Sequence, residues 1–222
     1  MLTPPGKNTS AYSRLPMMVL GMLLFSGLAI FLYLSGRNEL DENIFEALRP
    51  EITPARTKVM IFISFFGNHL FLVPAFLLVI IYLVIAKEKK TAWRVLFIAG
   101  SSLLLMTLLK RLFGRVRPDD PLVTGITNFS FPSGHAFMSV TFFGLLCWWL
   151  LLSKPAGLQK NVMILCMVMA ILLIGFSRVY LRVHYVTDVM AGLGIGLSWL
   201  FACLWYFNRP VDQTSPPVRD DK

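Results

Sequence analysis

Six stretches of this sequence are long and apolar enough to cross a lipid bilayer, and they leave little of the chain for any other fold. They cover roughly residues 17–35, 59–86, 92–109, 136–152, 162–176 and 186–207. A helix needs about 20 mostly apolar residues to span the hydrocarbon core, where its backbone polar groups must be satisfied internally. Hydrophobic residues make up 56% of the chain and charged residues 15%, which is typical of this class. The sequence therefore predicts an all-α, polytopic bundle of six transmembrane helices.

Two of the runs are irregular, and the ends of the chain differ from the rest. The second run is long and contains Gly67-Asn68-His69, so its first part is expected to lie at the interface or its helix to tilt. The fifth is short and is expected to continue into the polar stretch after it. Residues 1–207 are expected to form one membrane-embedded domain. Residues 208–222 have no apolar period, which predicts a disordered cytoplasmic tail.

The first apolar run follows Lys7 and Arg14, as a signal peptide would. It is longer than a signal sequence, however, and no Ala-x-Ala-like cleavage site follows it, so we expect an uncleaved anchor. Compact size and the lack of eukaryotic targeting signals favour a bacterial inner membrane.

The net charge of +9 narrows the class of partner. No basic helix with interleaved aromatic residues and no nucleic-acid module is present, so nucleic acid is not expected as a partner. The cations lie between the apolar runs, which favours anionic lipid or phosphate. No feature indicates an obligate protein partner, and the cysteines, all within apolar runs, predict no disulfide framework.

The distribution of Lys and Arg predicts which loops are cytoplasmic. Residues 87–94 carry four cations against one acid, and the 153–160 segment adds Lys154 and Lys160. With six spans, both termini would then be cytoplasmic. Three segments would lie outside, and these are residues 36–58, 110–135 and 177–185.

Two of the external segments carry cations against this rule. They are Lys110, Arg111, Arg115, Arg117, Arg178 and Arg182. Charges held against the topological preference need another reason, and binding of an anion is the simplest. We therefore expect both segments to contribute to one extracytoplasmic site.

The chemistry-bearing residues fall into three short patterns. Lys110 and Arg117 are seven residues apart, so they would point one way if the helix continued past Gly114. Pro132, Ser133, Gly134 and His135 come where the fourth span begins; Pro132 suits a first helical turn, and free N–H groups there favour an anion.

The third pattern runs from Ser177 to Asp188. His184 and Asp188 are four apart, so on a helix the carboxylate could accept the Nδ1 proton and leave Nε2 as a nucleophile or base. Arg178 can bind two phosphate oxygens at once. Cations, a nucleophile in line and an acid for the leaving oxygen are what phosphoryl transfer requires, and no metal-ligand cluster is seen.

Taken in order, these patterns resemble the three-part signature of the type 2 phosphatidic acid phosphatase (PAP2) superfamily, the integral-membrane lipid phosphatases. The signature covers residues 110–188, and the six-span pattern extends the resemblance to nearly the whole chain. A related peroxidase branch shares it with bound vanadate, but its members are soluble, which six apolar spans oppose.

The resemblance implies a bundle of the PAP2/haloperoxidase-like type and a role for each residue. His184 would attack phosphorus to form a phosphohistidine, Asp188 would orient it, and His135 would protonate the leaving oxygen and then activate water. The phosphoryl oxygens would be held by Lys110, Arg117, Ser133, Gly134 and Arg178. Ser177, Pro118 and Pro132 would support the site. Family members work without metal cofactors.

Other interpretations of single residues stay open. The cations Arg111, Arg115 and Arg182 are expected to contact lipid headgroups only. His69 is expected to be structural or interfacial. Asp119 and Asp120 lack companion ligands and are expected to be counter-charges in their loop.

The substrate and the reaction also have alternatives at this point. The substrate could be phosphatidylglycerol phosphate, undecaprenyl diphosphate, phosphatidic acid or a lipid A phosphate. The same residues could serve a lipid-to-lipid phosphotransferase. A transporter or scramblase of anionic lipids would explain the cations but leave both histidines unused.

Overall fold

The computed structural model describes residues 14–35, 39–153 and 157–208. Within these ranges the chain is helical and contains no strand. The helices are α1 (Leu15–Ser35), α2 (Glu39–Leu48), α3 (Pro54–Phe65), α4 (His69–Ile85), α5 (Lys89–Phe113), α6 (Gly134–Leu152), α7 (Leu158–Tyr180) and α8 (Val186–Phe207), with a 3₁₀ turn at Arg49–Glu51. Lys7, Lys154 and the predicted tail beyond Asn208 lie outside the described residues.

The predicted six-span bundle is confirmed, with changes at the two irregular runs. The long second run is two helices, α3 and α4, because the chain turns at residues 66–68 and Asn68 caps α4 by accepting the N–H of Leu70 at 3.0 Å. The fifth run does continue into the polar stretch, as α7 extends to Tyr180. Its last turn is buried in protein and not exposed to lipid.

α8 lies at the centre of the bundle and packs against α1 and α6 through small residues. A Cβ on Gly21 of α1 would lie 2.4 Å from the carbonyl oxygen of Gly194, and one on Gly196 would lie 3.0 Å from that of Phe137 in α6. Only glycine lets the backbones approach so closely, as is common between helices in lipid. The outer faces of α1, α4 and α5 instead expose large apolar side chains, as lipid-facing surfaces do.

Three segments meet at one end of the bundle, which we call the loop end: residues 39–53, 114–133 and 181–185. The Leu122 N–H donates to the carbonyl of Leu181 at 3.0 Å, and the Tyr180 hydroxyl donates to that of Glu51 at 3.0 Å. The prediction that the three polar segments share one end is therefore confirmed. The opposite end contains the α4–α5 turn and the C-terminus of α8, where Arg14 donates to the carbonyl of Leu204 at 3.3 Å.

Candidate active site

Lys110 and Arg117 lie on either side of the C-terminal end of α5. The helix does not continue past Gly114, which adopts the left-handed conformation with a φ of 58°. The two cations are therefore not aligned by helical periodicity. A loop brings them together instead, because Lys110 donates to the carbonyl of Phe129 at 2.5 Å and the Arg117 Nε donates to that of Asn128 at 2.7 Å.

The N-terminus of α6 supplies the second part of the site. The helix begins at Gly134 with Ser133 as its N-cap, so Pro132 precedes the helix and the expectation that it occupies the first turn is wrong. The Ser133 N–H donates to the carbonyl of Asp188 at 2.9 Å. Gly192 of α8 permits this approach, since a Cβ there would lie 2.5 Å from the Ser133 carbonyl oxygen.

Arg178 lies in the last turn of α7 and is buried. One of its Nη atoms donates to the hydroxyl of Ser64 on α3, and its carbonyl accepts the N–H of His184 at 3.2 Å. The break between α3 and α4 packs against the same region, because a Cβ on Gly67 would lie 3.2 Å from Cδ2 of His135. Ser64 belongs to no recognisable pattern, and Gly67 was noted only as part of the irregularity in the second apolar run, so sequence reasoning assigned neither residue to the site.

His184 and Asp188 meet, but not through helical spacing. α8 begins at Val186 with Tyr185 as its N-cap, so His184 lies in the preceding turn. Asp188 accepts the Tyr185 N–H at 3.0 Å, and the same Oδ2 lies 3.4 Å from Nδ1 of His184. Ser130, which sequence reasoning also missed, donates to this Oδ2. The arrangement favours a proton on Nδ1, which leaves a lone pair on Nε2.

The surroundings keep His184 neutral. Burial lowers the pKa of the His184 imidazole from 6.5 to about 3; Asp188 opposes this shift, and the cations Arg117 and Lys110 add to it. The Nε2 atom lies 3.3 Å from a guanidinium nitrogen of Arg117. A neutral imidazole is the form that attacks phosphorus, and the guanidinium beside it can bind a phosphoryl oxygen.

Three buried polar atoms at this site lack a hydrogen-bond partner among the described residues. They are the Ser133 Oγ, the His135 Nε2 and the Arg178 Nε. Buried polar groups in proteins are nearly always paired, so unpaired polar atoms mark a place suited to a polar ligand. An oxyanion bound here would accept from the Arg178 Nε and from a protonated His135 Nε2.

A cavity of about 680 Å³ opens beside these groups. Its polar part is lined by Lys110, Arg117, Gly134, His135, Arg178 and His184, and its apolar part by Leu72, Val73, Leu103, Met106 and Met138. The apolar residues belong to α4, α5 and α6. The cavity can therefore take a molecule with an anionic end and an apolar end.

Arg115 has a different place from the one predicted. It is mostly buried, with 19% of its side chain exposed, and one Nη donates to Asp188 at 2.6 Å while the other donates to Asp41 at 2.8 Å. The expectation that Arg115 only contacts headgroups is therefore wrong. Asp41 lies on α2, in the 36–58 segment, which carries five acids and four cations and therefore gave no reason to select it.

The remaining polar residues named from the sequence make no described contact with His184 or Asp188. Arg182 is half-buried over the ring of Phe45 at 5.3 Å, so the headgroup-only expectation is wrong for it too. The Ser177 hydroxyl donates to a carbonyl of its own helix at 2.7 Å. His69 lies at the start of α4, where it lines the cavity. Among the described residues, no group of three or more His, Cys, Asp or Glu side chains could hold a metal ion.

Four residues named from the sequence remain to be placed, and these are Arg111, Pro118, Asp119 and Asp120. Arg111 is exposed at the end of α5, and its contact with headgroups stays a prediction. Asp119 and Asp120 are exposed in the loop, where their role as counter-charges is likewise untested. Pro118 is buried beside them.

Comparison with known proteins shows the family of this chain. Residues 91–212 match the profile of a family described as the PAP2 superfamily. The chain belongs to the PAP2 superfamily. It is 32% identical to a phosphatidylglycerophosphatase B of Bacillus subtilis, over 81% of this chain and 89% of that protein. It is 29% identical to an undecaprenyl-diphosphatase of Sulfolobus acidocaldarius, over 88% and 91% of the two chains.

The fold is also that of a PAP2 enzyme of known structure. The crystal structure of a transmembrane PAP2 type phosphatidylglycerolphosphate phosphatase from Bacillus subtilis superposes with a TM-score of 0.77 and 29% identity, over 85% of this chain and 94% of that chain. The predicted fold type and the predicted enzyme class, a phosphoric-ester hydrolase, are thereby confirmed.

Proposed function

We propose that this enzyme hydrolyses the terminal phosphate of a lipid phosphate or diphosphate through a phosphohistidine at His184. The observation that carries the proposal is a single cavity in which a neutral imidazole and three cations face one polar pocket with an apolar extension. A phosphate headgroup fits the pocket and an acyl or prenyl chain the extension. Each buried CH₂ of that chain contributes about 0.8 kcal/mol.

The first step forms the covalent intermediate. The Nε2 lone pair of His184 attacks phosphorus, the bond to the lipid oxygen breaks, and a proton from His135 goes to that leaving oxygen. The Lys110, Arg117 and Arg178 side chains, with the N–H groups at the start of α6, stabilise the charge on the equatorial oxygens. Asp188 stabilises the imidazolium that results.

The second step returns the enzyme to its starting state. His135 accepts a proton from water, the oxygen of that water bonds to phosphorus, and the bond between phosphorus and Nε2 breaks. The products are inorganic phosphate, the dephosphorylated lipid and neutral His184. The charge on phosphorus is met by side-chain cations in both steps, so the proposal includes no metal ion.

The face and the substrate class are part of the same proposal. The loop end is assigned to the extracytoplasmic side because three exposed cations, Lys87, Lys89 and Lys90, and the half-buried Arg94 lie at the opposite end. The names of the relatives support a phosphatidylglycerol phosphate or undecaprenyl diphosphate substrate, with phosphatidic acid and lipid A phosphates as further members of the class. The connection between α5 and α6 contains no helix for headgroup selection.

The test is phosphate release by the purified enzyme from a panel of these lipids, with a chelator present. We expect turnover that vanadate inhibits, and no turnover above background in His184→Ala. Samples with ³²P-labelled substrate that are quenched in alkaline SDS should contain a labelled protein in the wild type only, and later acid treatment should release this label. Turnover at the wild-type rate in His184→Ala would contradict the assignment, and label appearing in a second lipid would identify a phosphotransferase.

A further inference from the structure

Behind His184, away from the cavity, two carboxylates share one guanidinium. Arg115 donates to Oδ1 of Asp188 at 2.6 Å and to Oδ2 of Asp41 at 2.8 Å. The side chains of Asp188 and Asp41 are 0% and 1% exposed, so solvent does little to screen these charges. Asp41 is thus linked through Arg115 to Asp188, the carboxylate beside the imidazole of His184.

Asp41 also accepts two hydrogen bonds from the N-terminus of α8, although it lies on another helix. Its Oδ1 accepts the backbone N–H of Thr187 at 3.1 Å, and its Oδ2 accepts the hydroxyl of Thr187 at 2.7 Å. Thr187 is in the first turn of α8, where N–H groups have no partner within the helix. Asp41 of α2 therefore supplies the acceptor that the backbone N–H of Thr187, the residue before Asp188, lacks within its own helix.

The charge balance of this group favours a cation at His184. Asp41, Arg115 and Asp188 together carry one net negative charge, whereas Arg115 and Asp188 alone would be neutral. The imidazole becomes positive when its Nε2 bonds to phosphorus. A net negative group in a buried region stabilises that positive charge more than a neutral pair does.

We propose that Asp41 is a positioning residue for the phosphoryl transfer, which acts through Arg115 to keep Asp188 oriented and its charge available to His184. This inference rests on the proposed role of His184 as nucleophile. Asp41 does not line the cavity, so it should affect the chemical step and not the binding of lipid. The residue belongs to no part of the three-part signature.

Asp41→Asn tests the charge with little change in shape, because its Oδ1 can still accept the Thr187 N–H. We expect kcat to fall by about tenfold or more, as when a residue that orients a catalytic histidine is removed, with KM unchanged. Asp41→Glu restores the charge and should recover part of the lost kcat. Glu39→Gln removes an exposed charge from the same helix and should retain wild-type kcat.

Thermal midpoints in detergent, measured for each variant, separate catalysis from folding. A wild-type kcat per folded Asp41→Asn molecule, an increase in KM alone, or an equal loss in Glu39→Gln would overturn the inference. So would a failure of Asp41→Glu to exceed Asp41→Asn. His184→Ala tests the proposed function separately: if it stays active, that function fails, whereas an inactive His184→Ala beside an unaffected Asp41→Asn overturns only this inference.

Discussion

The two ends of the bundle carry similar charged side chains in opposite environments. At the loop end Arg178, Asp188 and His184 are buried, and partners from three or more chain segments contact them. At the opposite end Lys89 and Lys90 are exposed. A charge next to a membrane span is therefore not by itself a sign of function. A charge that is buried among polar groups from distant parts of the chain does indicate a functional site.

This difference has a physical origin. A charge at an exposed helix end stays in water or near headgroups, where it interacts weakly with its neighbours. A buried charge must be paired, because burial without a partner costs several kcal/mol. At the loop end Arg115 and Ser130 donate to Asp188, whereas the buried Arg178 donates to the neutral hydroxyl of Ser64 and keeps an unpaired Nε, so a bound anion would complete its pairing.

The largest expected loss of activity in this comparison comes from replacing Lys110, and the adjacent Arg111 on α5 provides the control. Lys110→Gln removes a cation that lines the cavity, whereas Arg111→Gln removes an exposed one. We expect kcat/KM to fall by about 10²-fold in the first variant, as when one charge-stabilising donor is lost, and to stay near wild type in the second. Phosphate release measures both. Equal losses would mean that net positive charge, and not position, explains the effect.

A smaller effect concerns pH and the buried imidazole. The folded pKa of His184 is about 3 and the unfolded value is 6.5, so below pH 6.5 the unfolded chain binds a proton that the folded chain does not. Stability that is full above pH 6.5 is therefore lost as the pH falls, by about 2 kcal/mol at pH 5. His184→Gln cannot bind this proton, so its thermal midpoint should fall less between pH 7 and pH 5 than that of the wild type. An equal fall would contradict the shift.

The smallest effect on turnover is expected from exposed sites used to assign the two ends. Glu39→Cys at the loop end and Lys89→Cys at the opposite end, in a chain whose three native cysteines are replaced by Ala, should each change turnover by less than about twofold. A membrane-impermeant thiol reagent added to spheroplasts should label the first and not the second. The reverse pattern would place the active site on the cytoplasmic side.

Part of the site could be predicted only in outline. Lys110 and Arg117 do converge, but helical periodicity does not align them, because Gly114 ends α5 and hydrogen bonds to residues 128–129 bring the two side chains together. His184 and Asp188 likewise meet across a turn and an N-cap. In both cases the spacing was informative, although the side chains meet through a loop or a turn and not along one helix.

The sequence alone determined the membrane class, the six spans and the grouping of the polar segments at one end, since these follow from apolar length and from charge placed against the topological preference. Tertiary structure decided what the sequence could not: that Arg115 serves Asp188 and not a headgroup, that Ser64 and Ser130 contact the site residues, and that Asp41 of α2 reaches α8. These are contacts between residues more than 50 positions apart. No local propensity or periodicity encodes such pairs, because they depend on how helices pack, and here glycines in α1 and α8 set that packing.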